Sequence, residues 1–333
     1  MEYRQLGRTG VMVSELCLGA MLFGGKTPED EAHQLVRRSW DAGINFMDTA
    51  NAYGGGASEE VLGRALRELG QRDHIVLATK VFAPMDQHDP NMRGNHRRHV
   101  IEQCEASLRR LQTDWIDLYQ IHRPMPSIPI DETLRALDDL VRQGKVRYLG
   151  TSTFAAWQIM ESLWVSKEYG LNRFVCEQPP YHLLDRRPER ELIPMAQTYG
   201  FGLIPWSPLA GGSLTGKYRR GDMPEGARYS GQSGRGQEFE NEKYWTVMDV
   251  LEQMAAEKSC SVSQLSLAWC AGQPGISSPI IGPRTMEQLE DNLGSVEVKL
   301  SDEDRRRLDE VAPPGRAIAP YYEAEFGPHP YRV

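Results

Sequence analysis

The chain has 333 residues, of which 40% are hydrophobic and 25% are charged, with 38 Lys plus Arg against 46 Asp plus Glu. The net charge of −8, with basic residues scattered rather than clustered, argues against a nucleic-acid or anionic-membrane partner. No apolar run approaches the roughly 18 residues of a membrane helix, and the N-terminus lacks an apolar signal segment, so we expect a cytoplasmic protein. The five cysteines form no C-x-x-C pair, which favours buried thiols over a disulfide or zinc framework.

In chain order, the first predicted element is a β-hairpin over residues 3–13 that turns at Arg8, Thr9 and Gly10 and would close one mouth of a barrel. Short apolar runs then predict eight strands, at 16–18, 44–47, 75–78, 116–121, 146–149, 174–176, 202–204 and 278–281. Segments with helical period separate many of them, at 29–40, 58–69, 97–111, 131–141 and 189–199. Eight strands alternating with helices predict an α/β fold, a single (β/α)8 TIM barrel domain over 1–333 with an N-terminal β-hairpin and extra C-terminal helices and tail.

Two segments interrupt this alternation. Residues 219–236, rich in Gly, Arg and Ser, predict a long loop after the seventh strand, a length typical of a lid or a binding loop. The proline-rich residues 313–333 cannot form a regular helix, so we expect them to wrap the surface.

Catalytic side chains of such barrels project from the C-terminal ends of the strands. The second, third and fourth predicted strands are followed there by Asp48, Lys80 and His122, and Tyr53 lies five residues beyond the aspartate. Each residue alone has a structural explanation, as a cap, a solvated ammonium or a packed imidazole. The spacing of one strand-helix repeat between them predicts neighbouring strands, and convergence at one mouth favours a catalytic set.

The four side chains suit protonation of a carbonyl oxygen. An ammonium about 4 Å from a phenol favours the phenolate by up to about 4 kcal/mol at an effective dielectric of about 20. We therefore expect Tyr53 to act as general acid, with Asp48 keeping Lys80 charged and oriented. His122 would donate to the oxygen that develops negative charge.

The attacking group is not evident among the protein's own side chains. The sequence has no G-x-S-x-G nucleophile motif, and we interpret His96 and His99 as a solvated helix face, so no metal site is predicted. A hydride donor remains. Two alternatives stay open: a lyase that forms a Schiff base on Lys80, and a sensor module with incidental turnover.

Several motifs in order resemble those of the aldo-keto reductase family, nearest to its bacterial branch related to the potassium-channel β-subunits. They lie at residues 43–54, 78–80, 117–124 and 280–284, within a likeness that runs from about residue 3 to 300. The resemblance implies reduction of a small-molecule aldehyde or ketone with NADPH/NADP+ as cofactor. It also implies that Tyr53 is the proton donor, tuned by Lys80 and Asp48, and that His122 orients the carbonyl.

The same resemblance implies a set of cofactor-binding residues, many of them at the strand ends. They are Ala20, Met21, Asp48, Ser152, Thr153, Gln178, Trp206, Ser207, Pro208, Leu209, Gly211, Lys217, Arg228, Gly282, Arg284, Gln288, Asp291 and Asn292. Ser152, Thr153 and Gln178 would bind the nicotinamide carboxamide, and Trp206 would stack on the ring. Ser207, Leu209 and Gly211 would lie along the pyrophosphate, with Lys217 and Arg228 in the long loop meeting its charge.

The adenosine end would be held by Arg284, Gln288 and Asn292, with the arginine suited to a 2′-phosphate. Gly282 departs from the lysine that other branches use there, which leaves Arg284 to supply the positive charge. Met21 replaces the Trp of channel-like relatives, whereas His122 replaces an Asn that they tend to carry. The histidine favours catalysis over sensing. The sequence does not predict the physiological substrate or the oligomeric state.

Overall fold

The computed structural model of the protein describes residues 1–221 and 237–320. The strands within these ranges are β1 (Tyr3–Gln5), β2 (Met12–Ser14), β3 (Cys17–Gly19), β4 (Phe46–Asp48), β5 (Val76–Val81), β6 (Ile116–Ile121), β7 (Val146–Ser152), β8 (Phe174–Gln178), β9 (Gly202–Leu203) and β10 (Ile280–Ile281). The α-helices are α1 (Glu29–Asp41), α2 (Ala57–Leu69), α3 (Arg97–Leu111), α4 (Ile130–Arg142), α5 (Ala156–Tyr169), α6 (Leu192–Tyr199), α7 (Glu242–Glu257), α8 (Val262–Ala271), α9 (Met286–Leu293) and α10 (Asp302–Val311).

Strands β3 to β10 form one parallel sheet in the order β10-β3-β4-β5-β6-β7-β8-β9. The two edges of this sheet meet, because the Ile280 amide donates to the Pro205 carbonyl at 2.8 Å and Leu203 forms a parallel bridge with Ile276. The sheet therefore closes, and the predicted (β/α)8 barrel is confirmed. Each of the eight predicted strands overlaps one observed strand.

Successive side chains along the strands face opposite sides of the sheet, which divides the core into two layers. Phe46, Ala78, Leu118 and Cys176 belong to an inner cluster, whereas the residues between them on the strands pack outward against the helices. Two residues further along β4, β5, β6 and β8 the inward positions become polar. The C-terminal mouth of the barrel is thus lined by groups that can do chemistry.

The N-terminal hairpin closes the opposite mouth, as predicted. Strands β1 and β2 pair antiparallel, and Leu6 and Val13, both fully buried, join the inner cluster. Gly7 has φ +58°, and a Cβ there would lie 2.6 Å from the backbone nitrogen of Gly202. Only glycine permits this close approach of the turn to the barrel floor.

One predicted helix boundary is wrong. The segment predicted over 189–199 is helical only from Leu192, after a 3-10 turn at Arg187–Glu189. Pro194 is the reason, because proline has no amide hydrogen to donate and is accepted only in the first turn of a helix. In a helix starting at Glu189 it would fall in the second turn.

The start of the C-terminal tail lies on the surface, as expected. After α10, the Ile318 amide donates to the Leu184 carbonyl at 2.8 Å, and the Arg186 amide donates to the Arg316 carbonyl at 2.8 Å. Residues 321–333 and most of the predicted loop 219–236 lie outside the described residues. All five cysteines are free thiols, and four are buried.

None of the helices in the described ranges is both long and apolar enough to cross a membrane. That residues 1–333 form a single domain stays a prediction.

Candidate active site

A buried ion pair lies at the C-terminal mouth of the barrel, between β4 and β5. Asp48 ends β4, and Lys80 occupies the inward position two residues after Ala78 on β5. The Lys80 Nζ donates to Asp48 Oδ1 at 2.5 Å and to the Thr49 carbonyl at 2.7 Å. Lys80 is fully buried and Asp48 is 3% exposed. The predicted convergence of these two side chains is therefore present.

The ammonium form of Lys80 is held in place by its partners. Burial by itself would lower the pKa of Lys80, but the charge of Asp48, together with Tyr53, outweighs it and raises that pKa above its ordinary value. Lys80 is thus a buried cation across the neutral range. A cation in that position favours negative charge on any atom beside it.

Two glutamines donate hydrogen bonds to the second carboxylate oxygen of Asp48. Gln120 and Gln178 each donate from Nε2 to Asp48 Oδ2 at 3.0 Å, and Gln178 also donates to Gln120 Oε1 at 3.0 Å. Gln120 was missed by the sequence reasoning, although its position two residues after inward-facing Leu118 is a usable signal. Gly150 leaves room for it, because a Cβ there would lie 3.0 Å from Gln120 Cγ.

Tyr53 stands beside the ion pair on the loop that follows β4. Its phenol oxygen accepts a hydrogen bond from Lys80 Nζ at 3.3 Å, and the same nitrogen lies 4.9 Å from the centroid of the ring. Tyr53 begins a 3-10 turn in which Gly54, Gly55 and Gly56 all have positive φ. The glycines let the chain reverse direction at once, which brings the phenol back over the barrel mouth.

The loop that carries Tyr53 is anchored from below by buried polar contacts. Ser58 donates to the Ala20 carbonyl at 2.6 Å, and its hydroxyl shares a hydrogen bond of 2.8 Å with Thr49. Glu59, fully buried at the start of α2, accepts from Arg110 Nε at 2.6 Å and from the hydroxyl of Thr79. These anchors were also missed, because nothing in the sequence marks Glu59 as buried.

His122 directly follows β6, and its imidazole is half-buried beside Tyr53. The two rings meet edge to face, with centroids 5.6 Å apart. Burial, reinforced by the positive charges of Lys80 and Arg123, holds the pKa of His122 well below its usual range. The imidazole is therefore neutral at pH 7, with one N–H to donate. Among the described residues, none forms a hydrogen bond with its ring nitrogens.

Ser152, Gln178 and Trp206 lie side by side along the same mouth. Ser152 Oγ donates to the Gln178 carbonyl at 3.0 Å, and the Trp206 amide donates to the Pro179 carbonyl at 2.9 Å. Thr153, which follows Ser152, has φ +62°. Its hydroxyl accepts a hydrogen bond from Arg123, a residue that the sequence analysis did not assign to the site. The Arg123 guanidinium also lies 5.7 Å from the Trp206 ring centroid.

The segment after β9 turns tightly and is followed by a lysine. Ser207, Ala210, Gly211 and Gly212 all have positive φ. The Ala210 and Gly212 amides donate within the loop, to the Ser207 and Leu209 carbonyls, at 2.8 Å each. A Cβ on Gly212 would lie 2.9 Å from the Nζ of Lys217, so the ammonium rests on this backbone. Lys217 is the group of this segment that suits a phosphate-containing ligand.

Three of the remaining predicted cofactor residues, Gly282, Arg284 and Gln288, lie around the start of α9. The Arg284 amide donates to Gln288 Oε1 at 2.9 Å, and Thr285 caps the helix. Gly282 is exposed, with open space around its Cα. Asp291 and Asn292 follow on α9, and Ala20 and Met21 lie after β3, the strand that pairs with β10. Pro208 and Leu209 belong to the loop after β9, and Arg228 lies outside the described residues.

The interpretation of His96 and His99 as a solvated face is wrong. His99 on the inner side of α3 is fully buried, and burial, with a contribution from His96, lowers its pKa to about 4. His96 is half-buried and caps α3 through its Nδ1. The error arose because helical period alone does not say which side of a helix start faces the barrel.

Comparison with known proteins agrees with this geometry. The model of the aldo/keto reductase family matches residues 15–313. The chain belongs to the aldo/keto reductase family. This aldo/keto reductase is 40% identical to the uncharacterized oxidoreductase YrpG of Bacillus subtilis strain 168 over 323 residues, which cover 94% of the chain and 96% of the relative. The family resemblance seen in the sequence is thereby confirmed.

Other relatives of this aldo/keto reductase carry a different name. A probable voltage-gated potassium channel subunit beta from Oryza sativa subsp. japonica is 38% identical over 303 residues, which cover 90% of the chain and 92% of that protein. A putative subunit of the same kind from Schizosaccharomyces pombe is 38% identical over 319 residues, covering 93% and 92%. Family membership makes the protein an oxidoreductase of the aldo/keto reductase type, and leaves cofactor and substrate to be argued from the site.

Proposed function

We propose that this protein reduces an aldehyde or ketone to the alcohol with NADPH as cofactor and Tyr53 as the general acid. The observation that carries the proposal is the contact of Tyr53 with a buried ammonium: its phenol oxygen lies 3.3 Å from Lys80 Nζ, which is itself held by Asp48. This arrangement stabilises the phenolate that remains when the proton leaves.

The chain's own residues divide the work around the carbonyl. Tyr53 hands its phenolic proton to the carbonyl oxygen, and Lys80 balances the charge left on the phenol. The neutral imidazole of His122 donates a hydrogen bond to the same oxygen and so orients it. Asp48, Gln120 and Gln178 keep Lys80 in place. A bound reduced nicotinamide would supply the hydride to the carbonyl carbon.

The described residues fit a phosphorylated dinucleotide. Ser152 and Gln178 would bind the carboxamide, Trp206 would stack on the nicotinamide ring, and the positive-φ loop with Lys217 would hold the pyrophosphate. Arg284 beside open space at Gly282 offers a cation for a 2′-phosphate, which supports NADPH over NADH. We further propose that the protein acts in the cytoplasm on a small-molecule carbonyl, without a nucleic-acid or membrane partner.

A second candidate is a cofactor-binding regulatory subunit, favoured by the relatives named potassium channel subunit beta. His122 argues for catalysis, since it is a neutral hydrogen-bond donor next to the proton donor. The Schiff-base lyase is disfavoured. Its nucleophile is a neutral amine, whereas Asp48 and Tyr53 raise the pKa of Lys80 and keep it protonated.

The test is a binding and turnover assay with NADPH and NADH side by side. Quenching of tryptophan fluorescence measures cofactor affinity, and absorbance at about 340 nm follows oxidation on a panel of reactive aldehydes and ketones. We expect tighter binding of NADPH and steady turnover on several of them. Binding without turnover would support the regulatory alternative, and the absence of binding would end the proposal.

A further inference from the structure

Glu177 is a buried carboxyl group with no place in the mechanism above. It precedes Gln178 on β8, so its side chain points to the opposite face of the sheet, away from the barrel axis. It is fully buried. A buried carboxyl group is costly unless it is well hydrogen-bonded, so its contacts deserve an explanation.

The carboxyl group of Glu177 holds both ends of one turn. The hydroxyl of Thr151 and Glu177 Oε2 share a hydrogen bond of 2.5 Å, and the Phe154 amide donates to Glu177 Oε1 at 3.1 Å. Ser152 and Thr153 lie between these two anchor points. They are also tied to β8 by hydrogen bonds to the Gln178 carbonyl, from Ser152 Oγ at 3.0 Å and from the Thr153 amide at 3.2 Å.

The turn needs such support because its backbone is strained. Thr153 has φ +62°, a left-handed conformation that is rare for a β-branched residue. Conformations of this kind cost about 1–3 kcal/mol and persist only where the surroundings enforce them. Strained residues cluster at functional sites, and this one stands between Ser152 and the first turn of α5.

We propose that Glu177 is a positioning residue that holds Ser152 and Thr153 in the geometry that receives the carboxamide end of a nicotinamide cofactor. The inference rests on the proposed function. Glu177 acts through the turn and faces away from Tyr53 and Lys80. Its loss is therefore expected to weaken cofactor binding and to leave the chemical step of the loaded protein nearly unchanged.

The protonation of Glu177 points to the informative variant. Burial raises the pKa of Glu177 to about 8, against the opposing pull of Thr151, the Phe154 and Thr153 amides, and Arg123. Near pH 7 the group is thus mainly the neutral acid. Thr151 Oγ1 also lies 3.3 Å from the Cys176 carbonyl, so it can accept from the acid and donate onward. A glutamine amide can make the same contacts, whereas alanine can make none.

The experiment compares Glu177→Ala with Glu177→Gln in the full chain. Hydrogen exchange of the Phe154 amide is measured without cofactor, and NADPH affinity is measured by tryptophan fluorescence. In Glu177→Ala we expect faster exchange, a Kd for NADPH raised by about 10-fold or more, and a kcat at saturating NADPH within about 3-fold of wild type. In Glu177→Gln, the exchange rate of the Phe154 amide and the Kd for NADPH should both stay within about 3-fold of wild type at pH 7.

Thr151→Val provides a second, milder variant that removes one hydroxyl contact and keeps the buried volume. It should raise the Kd for NADPH in the same direction, which keeps the test available if Glu177→Ala does not fold. The inference about Glu177 would be overturned if Glu177→Ala kept wild-type affinity and wild-type Phe154 exchange, or if Thr151→Val left the Kd unchanged. Neither result would affect the proposed function. Wild-type protein that binds no nicotinamide dinucleotide would overturn the proposed function and this inference together.

Discussion

The ring of His122 stands edge to face against the ring of Tyr53, with 5.6 Å between centroids and 83° between planes. Lys80 also contacts Tyr53, with its Nζ 3.3 Å from the phenol oxygen. The imidazole is neutral because burial keeps the pKa of His122 well below its usual range. Tyr53 can thus supply a proton to a carbonyl oxygen, while the neutral imidazole of His122 orients that oxygen without adding charge.

Replacing Tyr53 by phenylalanine removes the hydroxyl and keeps the ring. We expect kcat to fall by about 10²-fold to 10⁴-fold, the usual contribution of a general acid, while the Kd for NADPH stays near that of wild type. Tyr199→Phe, at an exposed position on α6, is the matched control and should keep full activity. A Tyr53→Phe protein with wild-type turnover would show that another group supplies the proton.

Removing the charge of either partner in the Asp48–Lys80 ion pair should destabilise the folded protein. Lys80→Met leaves a buried carboxylate without its cation, and Asp48→Asn leaves a buried ammonium without its anion. Each is expected to lower the free energy of unfolding by about 3–5 kcal/mol, and the double variant should recover part of that loss. Denaturant unfolding measures all three, and none should retain reductase activity.

The exposed pair of Arg98 and Glu102 on α3 is the control for that comparison. Arg98→Met should lower the free energy of unfolding far less than either change at the buried pair, because solvent screens the charges of Arg98 and Glu102. Equal losses at the buried and the exposed pair would contradict the role assigned to burial.

Cofactor preference should depend on the charge near the start of α9. Arg284→Met is expected to weaken NADPH binding by about 10-fold to 100-fold and to leave NADH binding unchanged, since only NADPH carries the 2′-phosphate. Gly282→Lys, which adds a cation in open space, should strengthen NADPH binding. Gly282→Ala should leave the affinities for both NADPH and NADH unchanged. Parallel titrations with both cofactors measure the effect. Equal weakening of NADPH and NADH by Arg284→Met would exclude this role.

His99 should make the protein less stable in mild acid. Its pKa is about 4 in the folded state and about 6.5 in an unfolded chain, so below pH 6.5 the unfolded state binds the extra proton. Stability is therefore lost as the pH falls from 6.5 towards 4, by up to about 1.4 kcal/mol per pH unit. The difference in unfolding free energy between pH 7 and pH 5 should shrink in His99→Leu. The exposed His88→Gln should match wild type, and an unchanged difference in His99→Leu would contradict the assignment.

Much of the catalytic set was predictable from order along the chain. Parallel strands bring all their C-terminal ends to one mouth, so Asp48, Lys80 and His122 at three consecutive strand ends had to converge. Gln120 escaped notice because strand-end reasoning considers the last residue, whereas the inward position two residues beyond Leu118 decides contact with Asp48.

The sequence by itself determined the barrel, its hairpin and the family, because apolar period and motif order are local properties that survive without coordinates. The tertiary structure alone decided which titratable side chains are buried: His99 on α3, Glu59 at the start of α2, and Glu177 on β8. Burial and protonation depend on contacts between segments far apart in the chain. No window of neighbouring residues contains that information.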